Sequence, residues 1–176
     1  MKKVIYIILF IFLLALYYLY PKVVARYHQY NVESKILQES SAVSSETLMT
    51  TDSKPWNIQE HRGKKVVLIF WAKSCRYCVE EIPNVQAFYD KYKKQQDIEI
   101  MSYSRDLSND VNELQRFMQE KNMHYPVLVD RQDTPEENRF FRQFKLFGLP
   151  SIFILDEEGK LLAMNLRRVE DVLDYL

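Results

Sequence analysis

The sequence predicts an α/β domain, a central mixed β-sheet flanked by helices, carried behind an N-terminal transmembrane helix. Three observations point to it. Residues 4–20 are an uncharged apolar and aromatic run. From about residue 54 onward, short continuous apolar runs alternate with stretches of helical spacing, as when strands and helices take turns. The only cysteines, Cys75 and Cys78, sit where one such apolar run gives way to a helical stretch.

Composition narrows the function. The 176-residue chain has a formal net charge of zero and no basic block, so no nucleic-acid partner is expected. No cysteine is left over for a structural disulfide, so the domain must be held by its core. The three glycines, Gly63, Gly148 and Gly159, are each expected at a turn.

The N-terminal run follows Met1-Lys2-Lys3 and ends in Tyr17, Tyr18 and Tyr20, an interfacial aromatic cluster, before Pro21-Lys22. It reads as a permanent signal anchor over 1–21. A cleaved signal peptide is the alternative, with Val23-Val24-Ala25 offering a small-residue site, although the run exceeds the usual apolar core of such peptides. Lys2 and Lys3 nearly balance Lys22 and Arg26, so flanking charge orients the span only weakly. Residues 22–53 follow as a juxtamembrane segment, rich in Ser and Thr over 40–53, that would tether a domain comprising 54–176.

Within the domain, residues 66–71 are a continuous apolar strand, as expected of one buried on both faces. Val79, Ile82, Val85, Phe88, Tyr89 and Tyr92 recur at helical spacing over 79–94, and Pro83 should kink that helix because it cannot donate to the Val79 carbonyl. Residues 98–103 form a second strand. Val111, Leu114, Phe117 and Met118 mark a second helix, with Ser108, Asn109 or Asp110 as its cap. Residues 127–129 form a short strand, and 134–144 a helix with Thr134 as cap and Pro135 at its first position. Residues 151–155 and 160–165 read as a hairpin turning at Asp156-Glu157-Glu158-Gly159, and 169–176 as a short closing helix.

The chemistry gathers at Cys75-Arg76-Tyr77-Cys78. A helix N-terminus offers unpaired N–H groups and a partial positive charge, so a thiolate on Cys75 should form below the ordinary pKa of about 8.5, with Arg76 pushing the same way. Cys78, one turn deeper, is placed to close a disulfide with it. Cys75 would attack a substrate disulfide and Cys78 would resolve the mixed disulfide. Half of a zinc site is a competing reading, but His28, His61 and His124 are remote in sequence and form no ligand pair. Two inert buried cysteines are another. Glu81, three residues after Cys78, shares its helix face. A partly buried carboxylate there would have a raised pKa and would take the proton from Cys78. A solvated surface glutamate is the alternative, which suits Glu80.

Further segments extend the pattern: Gly63-Lys64-Lys65-Val66-Val67-Leu68-Ile69-Phe70-Trp71-Ala72 before the cysteines, Val79-Glu80-Glu81-Ile82-Pro83 after them, then Tyr125-Pro126-Val127-Leu128-Val129-Asp130, Phe147-Gly148-Leu149-Pro150-Ser151, and Phe153-Ile154-Leu155-Asp156-Glu157-Glu158-Gly159-Lys160. In this order, over roughly 63–162, they resemble the thioredoxin-fold, TlpA/ResA-like group of membrane-tethered thiol–disulfide oxidoreductases. The resemblance implies a thioredoxin-like fold with Leu149-Pro150 cis and facing the cysteine pair, and the Leu149 backbone free to pair with a substrate chain. It implies that Trp71, Arg76, Tyr77, Leu149 and Pro150 meet the substrate and that Glu81 takes part in the thiol chemistry; for Trp71, a ring that shields the disulfide and pure core packing are the two readings of the residue itself. No metal is implied, and no cofactor beyond the Cys75–Cys78 disulfide. The implied partners are protein thiols and disulfides such as apocytochromes c, with a membrane electron donor of the thiol-transfer type. The implied location is the bacterial inner (cell) membrane, single-pass, with the domain on the extracytoplasmic side. Ser74 departs from the group, which often has Trp there. Ile69 stands where thioredoxins proper carry a buried aspartate.

Competing functions remain open at this point. A disulfide oxidase or isomerase is one, since Arg76 favours a more oxidising couple and Tyr before the second cysteine also occurs in isomerases. A copper metallochaperone shares the fold but usually spaces its cysteines three apart and adds a ligand histidine. A redox-inert interaction domain is the last.

Overall fold

The computed structural model describes Tyr20 and residues 47–106, 110–129, 140 and 143–176. The chain divides into two units, Met1–Glu39 and Ser40–Leu176, and the account below concerns the second. The expected membrane helix over 1–21 lies outside the described residues but for Tyr20. Among the described residues no helix is long and apolar enough to cross a membrane.

The strands are β1 (Thr47–Thr50), β2 (Pro55–Asn57), β3 (Lys65–Trp71), β4 (Ile98–Ser104), β5 (Val127–Val129), β6 (Ser151–Leu155) and β7 (Leu161–Leu166). The α-helices are α1 (Arg76–Tyr92) and α2 (Val111–Glu120), and 3-10 helices cover Ile58–His61 and Val169–Tyr175. The strands form one sheet in the order β2-β1-β5-β4-β3-β6-β7. β3, β4 and β5 run parallel, and β6 lies antiparallel to β3. The sheet is therefore mixed, as expected.

β3 is central because its sequence allows nothing else. Val66 to Trp71 are all buried, with neighbours on both edges and apolar cover on both faces. Alternate residues Val67, Ile69 and Trp71 join one core with Ile82, Val85 and Phe88 of α1 and Leu114 of α2. On the other face, Phe70 packs within ring-contact distance of Tyr103, Phe144 and Phe153. Phe140 and Phe144 are buried in that aromatic layer. The remaining positions of the helix expected over 134–144, Thr134 and Pro135 included, lie outside the described residues apart from Gln143.

Two expectations need correction. The domain does not begin at residue 54, because β1 belongs to the sheet, pairing with β5 as Met49↔Val129 and Thr50↔Leu128 and with β2 on its other side. Leu48 and Thr50 face inward, and the Thr50 hydroxyl accepts from Lys54 N (3.0 Å) across the turn that starts β2. The Ser/Thr-rich composition that suggested a tether here serves a hairpin instead. The closing segment is a 3-10 helix and not an α-helix. Its buried side chains are Val169 and Val172, and three-residue spacing lines up on the tighter coil. α1 begins at Arg76, which puts the cysteine pair at its first turn as expected, and Pro83 lies within it. Asp110 proves to be the cap of α2, its Oδ1 accepting from Asn112 N and Glu113 N. Ser108 and Asn109 lie outside the described residues.

Candidate active site

β3 ends at Trp71, and the chain turns through residues 72–74 into α1. Cys75 is the N-cap of that helix, with extended backbone (φ −86°, ψ 103°). Its Sγ takes the acceptor place that Ser, Thr or Asp fills elsewhere, accepting from Cys78 N at 3.2 Å. Cys75 is half-buried, whereas Cys78 is 3% exposed and packs in the α1 core. The two are joined in a disulfide with their Cα atoms 5.2 Å apart. One sulfur thus faces outward within reach of helix-terminal N–H groups and the other stands behind it.

Arg76 does not lean on the cysteine pair alone. Its Nε donates to Glu80 Oε1 at 2.8 Å one turn along, and this bond and charge hold the guanidinium pKa above its ordinary value. Both side chains are well exposed, so the cation expected to favour the Cys75 thiolate is shared with an anion.

The antiparallel register Phe70↔Ser151 brings Pro150 to the end of β3 where the cysteine turn begins. The Leu149-Pro150 bond is cis. Pro150 is buried and Leu149 half-buried, and among the described residues the Leu149 main chain makes no hydrogen bond. A groove of about 460 Å³ runs here, lined by Tyr77, Glu80, Glu81, Leu149, Pro150 and the two arginines 167 and 168. Tyr77 is 72% exposed, an aromatic surface left open beside the disulfide. Tyr77, Glu81, Leu149 and Pro150, singled out separately in the sequence, therefore meet in one place.

Glu81 is half-buried in that groove. Its Oε1 accepts from Val169 N (3.0 Å) and its Oε2 from Asn84 Nδ2 (3.0 Å). It therefore ties the start of the C-terminal 3-10 helix to α1. Trp71 does not form part of the substrate surface. It is 3% exposed, its ring stacks 5.9 Å from Phe117, and its Nε1 donates to Ser102 Oγ (3.3 Å). Its position in β3 points it into the core, in one cluster with Cys78, which favours the core-packing reading of this residue.

Sequence reasoning missed Asp106. Both its carboxylate oxygens accept from Lys73 N (3.1 and 3.0 Å), and Ser104 Oγ donates to Oδ2 (2.9 Å), fixing the turn before Cys75. An acid just past the end of a strand parallel to β3 was the available signal. Among the described residues no group of three or more His, Cys, Asp or Glu side chains is gathered to hold a metal ion.

The sheet order, the helix rising from β3 and the cysteine pair at its cap define a thioredoxin-like protein of the thiol–disulfide oxidoreductase class. Residues 41–164 match the AhpC/TSA family, and the chain belongs to that family. Among curated relatives, it is 26% identical over 137 residues to the thiol-disulfide oxidoreductase ResA of Geobacillus kaustophilus, covering 74% of each chain. It is 23% identical over 133 residues to the thioredoxin-like protein YneN of Bacillus subtilis, covering 76% of this chain and 74% of the relative. Among solved structures, StoA from Bacillus subtilis superposes with a TM-score of 0.63 at 16% identity, over 77% of this chain and 98% of that one. This last likeness is one of fold.

Proposed function

We propose that this chain acts outside the cytoplasm as a membrane-anchored reductant of specific protein disulfides. The observation that carries the reading is the asymmetry of the pair: Cys75 half-exposed at the helix cap and Cys78 buried behind it. The apolar run 4–20 supports the anchor, with the domain on the extracytoplasmic face of a bacterial cell membrane.

The reduced Cys75 thiolate attacks one sulfur of a substrate disulfide. A Cys75–substrate bond forms, the substrate S–S bond breaks, and the departing thiolate takes a proton from solvent. Cys78 then loses its proton, and its thiolate attacks Cys75 Sγ. The mixed disulfide breaks, and the substrate leaves as a dithiol carrying two electrons. The chain is left in the oxidised state of this structure. A membrane donor of the thiol-transfer type would return the electrons. Glu81, in the groove one turn past Cys78, is the proposed acceptor of the Cys78 proton. Its two oxygens keep lone pairs beyond the bonds from Val169 and Asn84.

Substrate would lie along Leu149, whose main chain suits pairing with an extended peptide, with Tyr77 across the groove and Arg76 next in sequence to the reacting cysteine. Substrates of the apocytochrome c type fit this surface. Trapping tests the proposal. Cys78→Ala in cells should accumulate reductant-sensitive adducts on Cys75, and their identity names the substrate. Absence of any adduct overturns protein disulfide exchange.

A further inference from the structure

We infer that Asn165 and Arg167 are positioning residues, which hold the substrate-facing loop 145–151 against the cysteine pair. The inference rests on the thiol-exchange reading above and adds the supports of its second half.

β6 and β7 pair as Ile152↔Leu166 and Ile154↔Ala163, with a register shift between. Two steps on β6 therefore face three on β7, which leaves an extra residue in a β-bulge at 164–165. Asn165 takes up the bend in the left-handed region (φ 55°), which asparagine tolerates better than most residues. Such a bulge re-aims a side chain, and here it sends the Asn165 amide into the neighbouring loop. Oδ1 accepts from Ser151 Oγ (2.8 Å) and from Phe147 N (3.3 Å), and Nδ2 donates to Lys145 O (3.2 Å). One side chain thus spans the loop from its first residue to its last.

Arg167 acts two residues on, just past the strand. Its Nη1 donates to Pro150 O at 2.8 Å. Its guanidinium also lies so close to Gly148 that a Cβ there would meet Nη1 at 3.2 Å and Nη2 at 3.4 Å. Gly148 itself has φ +142°, a backbone that favours glycine. Among the described residues the loop pairs with no strand before Ser151. Its polar groups at 145, 147, 150 and 151 are satisfied by these two side chains, while the Leu149 main chain between them is left for another chain. A loop held in this way meets its substrate already ordered, so less conformational freedom is lost on binding. Neither residue touches the reacting sulfurs, so the effect should fall on binding of an extended protein chain and not on sulfur chemistry.

The test uses the purified full chain in detergent, with insulin as the protein disulfide and a small aromatic disulfide as reference. Asn165→Gly keeps the left-handed backbone and removes the amide. It should raise KM for insulin about tenfold, the scale of one or two lost hydrogen bonds. kcat, the rate with the small disulfide and the equilibrium constant of the Cys75–Cys78 couple with glutathione should change less than twofold. The Phe147 amide, released from Oδ1, should exchange with deuterium faster. Arg167→Met should give the same KM effect, and Arg167→Lys, which restores a donor, should recover part of it. If Asn165→Gly does not fold, the exposed Arg167 pair carries the test. Unchanged KM, or a raised KM with a matching fall in the small-disulfide rate, overturns the positioning role. A wild-type chain that reduces neither disulfide overturns the thiol-exchange reading, and this inference with it.

Discussion

The first turn of α1 and the loop 145–151 line one groove, yet their polar groups are satisfied by opposite means. In the turn the partners are local: Cys75 N donates to Ala72 O (3.1 Å), Cys78 N to Cys75 Sγ, and Val79 N to Cys75 O (3.1 Å). Lys73 alone among the described residues of the turn reaches outside, its N donating to Asp106 and its Nζ to Glu113 Oε1 (2.6 Å). In the loop, Asn165 and Arg167 on the far side of a hairpin satisfy Lys145 O, Phe147 N, Pro150 O and Ser151 Oγ. A site can therefore join a chemical half, carried by one short stretch of sequence, to a binding half that exists only through tertiary contacts. Substitutions should separate the two.

The largest effect belongs to the chemical half. Cys75→Ser should abolish exchange with protein and small disulfides alike, because a hydroxyl cannot form the mixed disulfide. In the reduced wild type, alkylation at neutral pH should consume Cys75 well before Cys78, since only the former is accessible. Equal rates at the two cysteines would erase the attacker–resolver distinction.

The next belongs to the binding half. Gly148→Ala must place a side chain at φ +142° and also move the Arg167 guanidinium, for an expected cost of about 1–3 kcal/mol. Gly63→Ala is the comparison. That glycine also has positive φ (+87°), but nothing lies within 4 Å of an added Cβ, so its cost should be the backbone part alone, about 1 kcal/mol. Urea unfolding reads both. If Gly148→Ala is no worse than Gly63→Ala, the contact with Arg167 carries little energy.

Glu81 stands where the halves meet. Glu81→Gln keeps an oxygen for Val169 N but loses the charge, which should cost about 0.5–1.5 kcal/mol of stability. If the carboxylate also takes the Cys78 proton, the pH profile of thiol exchange should shift in the variant. A profile that does not move would leave Glu81 as a tether for the C-terminal 3-10 helix.

The same division explains what the sequence disclosed. β3, β4 and the β6–β7 hairpin were legible because unbroken apolar runs and the Asp156–Gly159 turn are local signals; Asp156 Oδ1 accepts from Glu158 N and Lys160 N as such a turn requires. The cysteine pair and Pro150 were legible for the same reason. β1 was not, because four residues with two inward positions are too short for period-two alternation to stand out from a Ser/Thr-rich stretch. Trp71 stayed between two readings because an aromatic ending an apolar strand reads alike whether its ring meets substrate or, as here, Ser102 and Phe117. Asn165 and Arg167 left no trace, since a bulge depends on how two strands pair and not on either strand's pattern.

The smallest effect lies at the far end of α1 and serves as a control on both halves. Asp90 accepts from Lys93 Nζ and from Gln86 Nε2 (3.0 Å), and these bonds hold its carboxyl below the ordinary range. Gln86 in turn accepts from His124 N (2.7 Å), tying the helix to the segment before β5. A carboxylate whose pKa is lower folded than unfolded adds stability above its unfolded pKa, near 3.9. That stability is lost as pH falls through the folded value. Asp90→Asn should therefore be less stable than wild type at pH 6, with the gap closing below about pH 4 and narrowing in high salt, because the pair is exposed. Its KM for insulin and its rate with small disulfides should match wild type, because neither half of the groove depends on Asp90. A gap that persists at pH 2 would trace the loss to the Gln86–His124 contact and not to the charge.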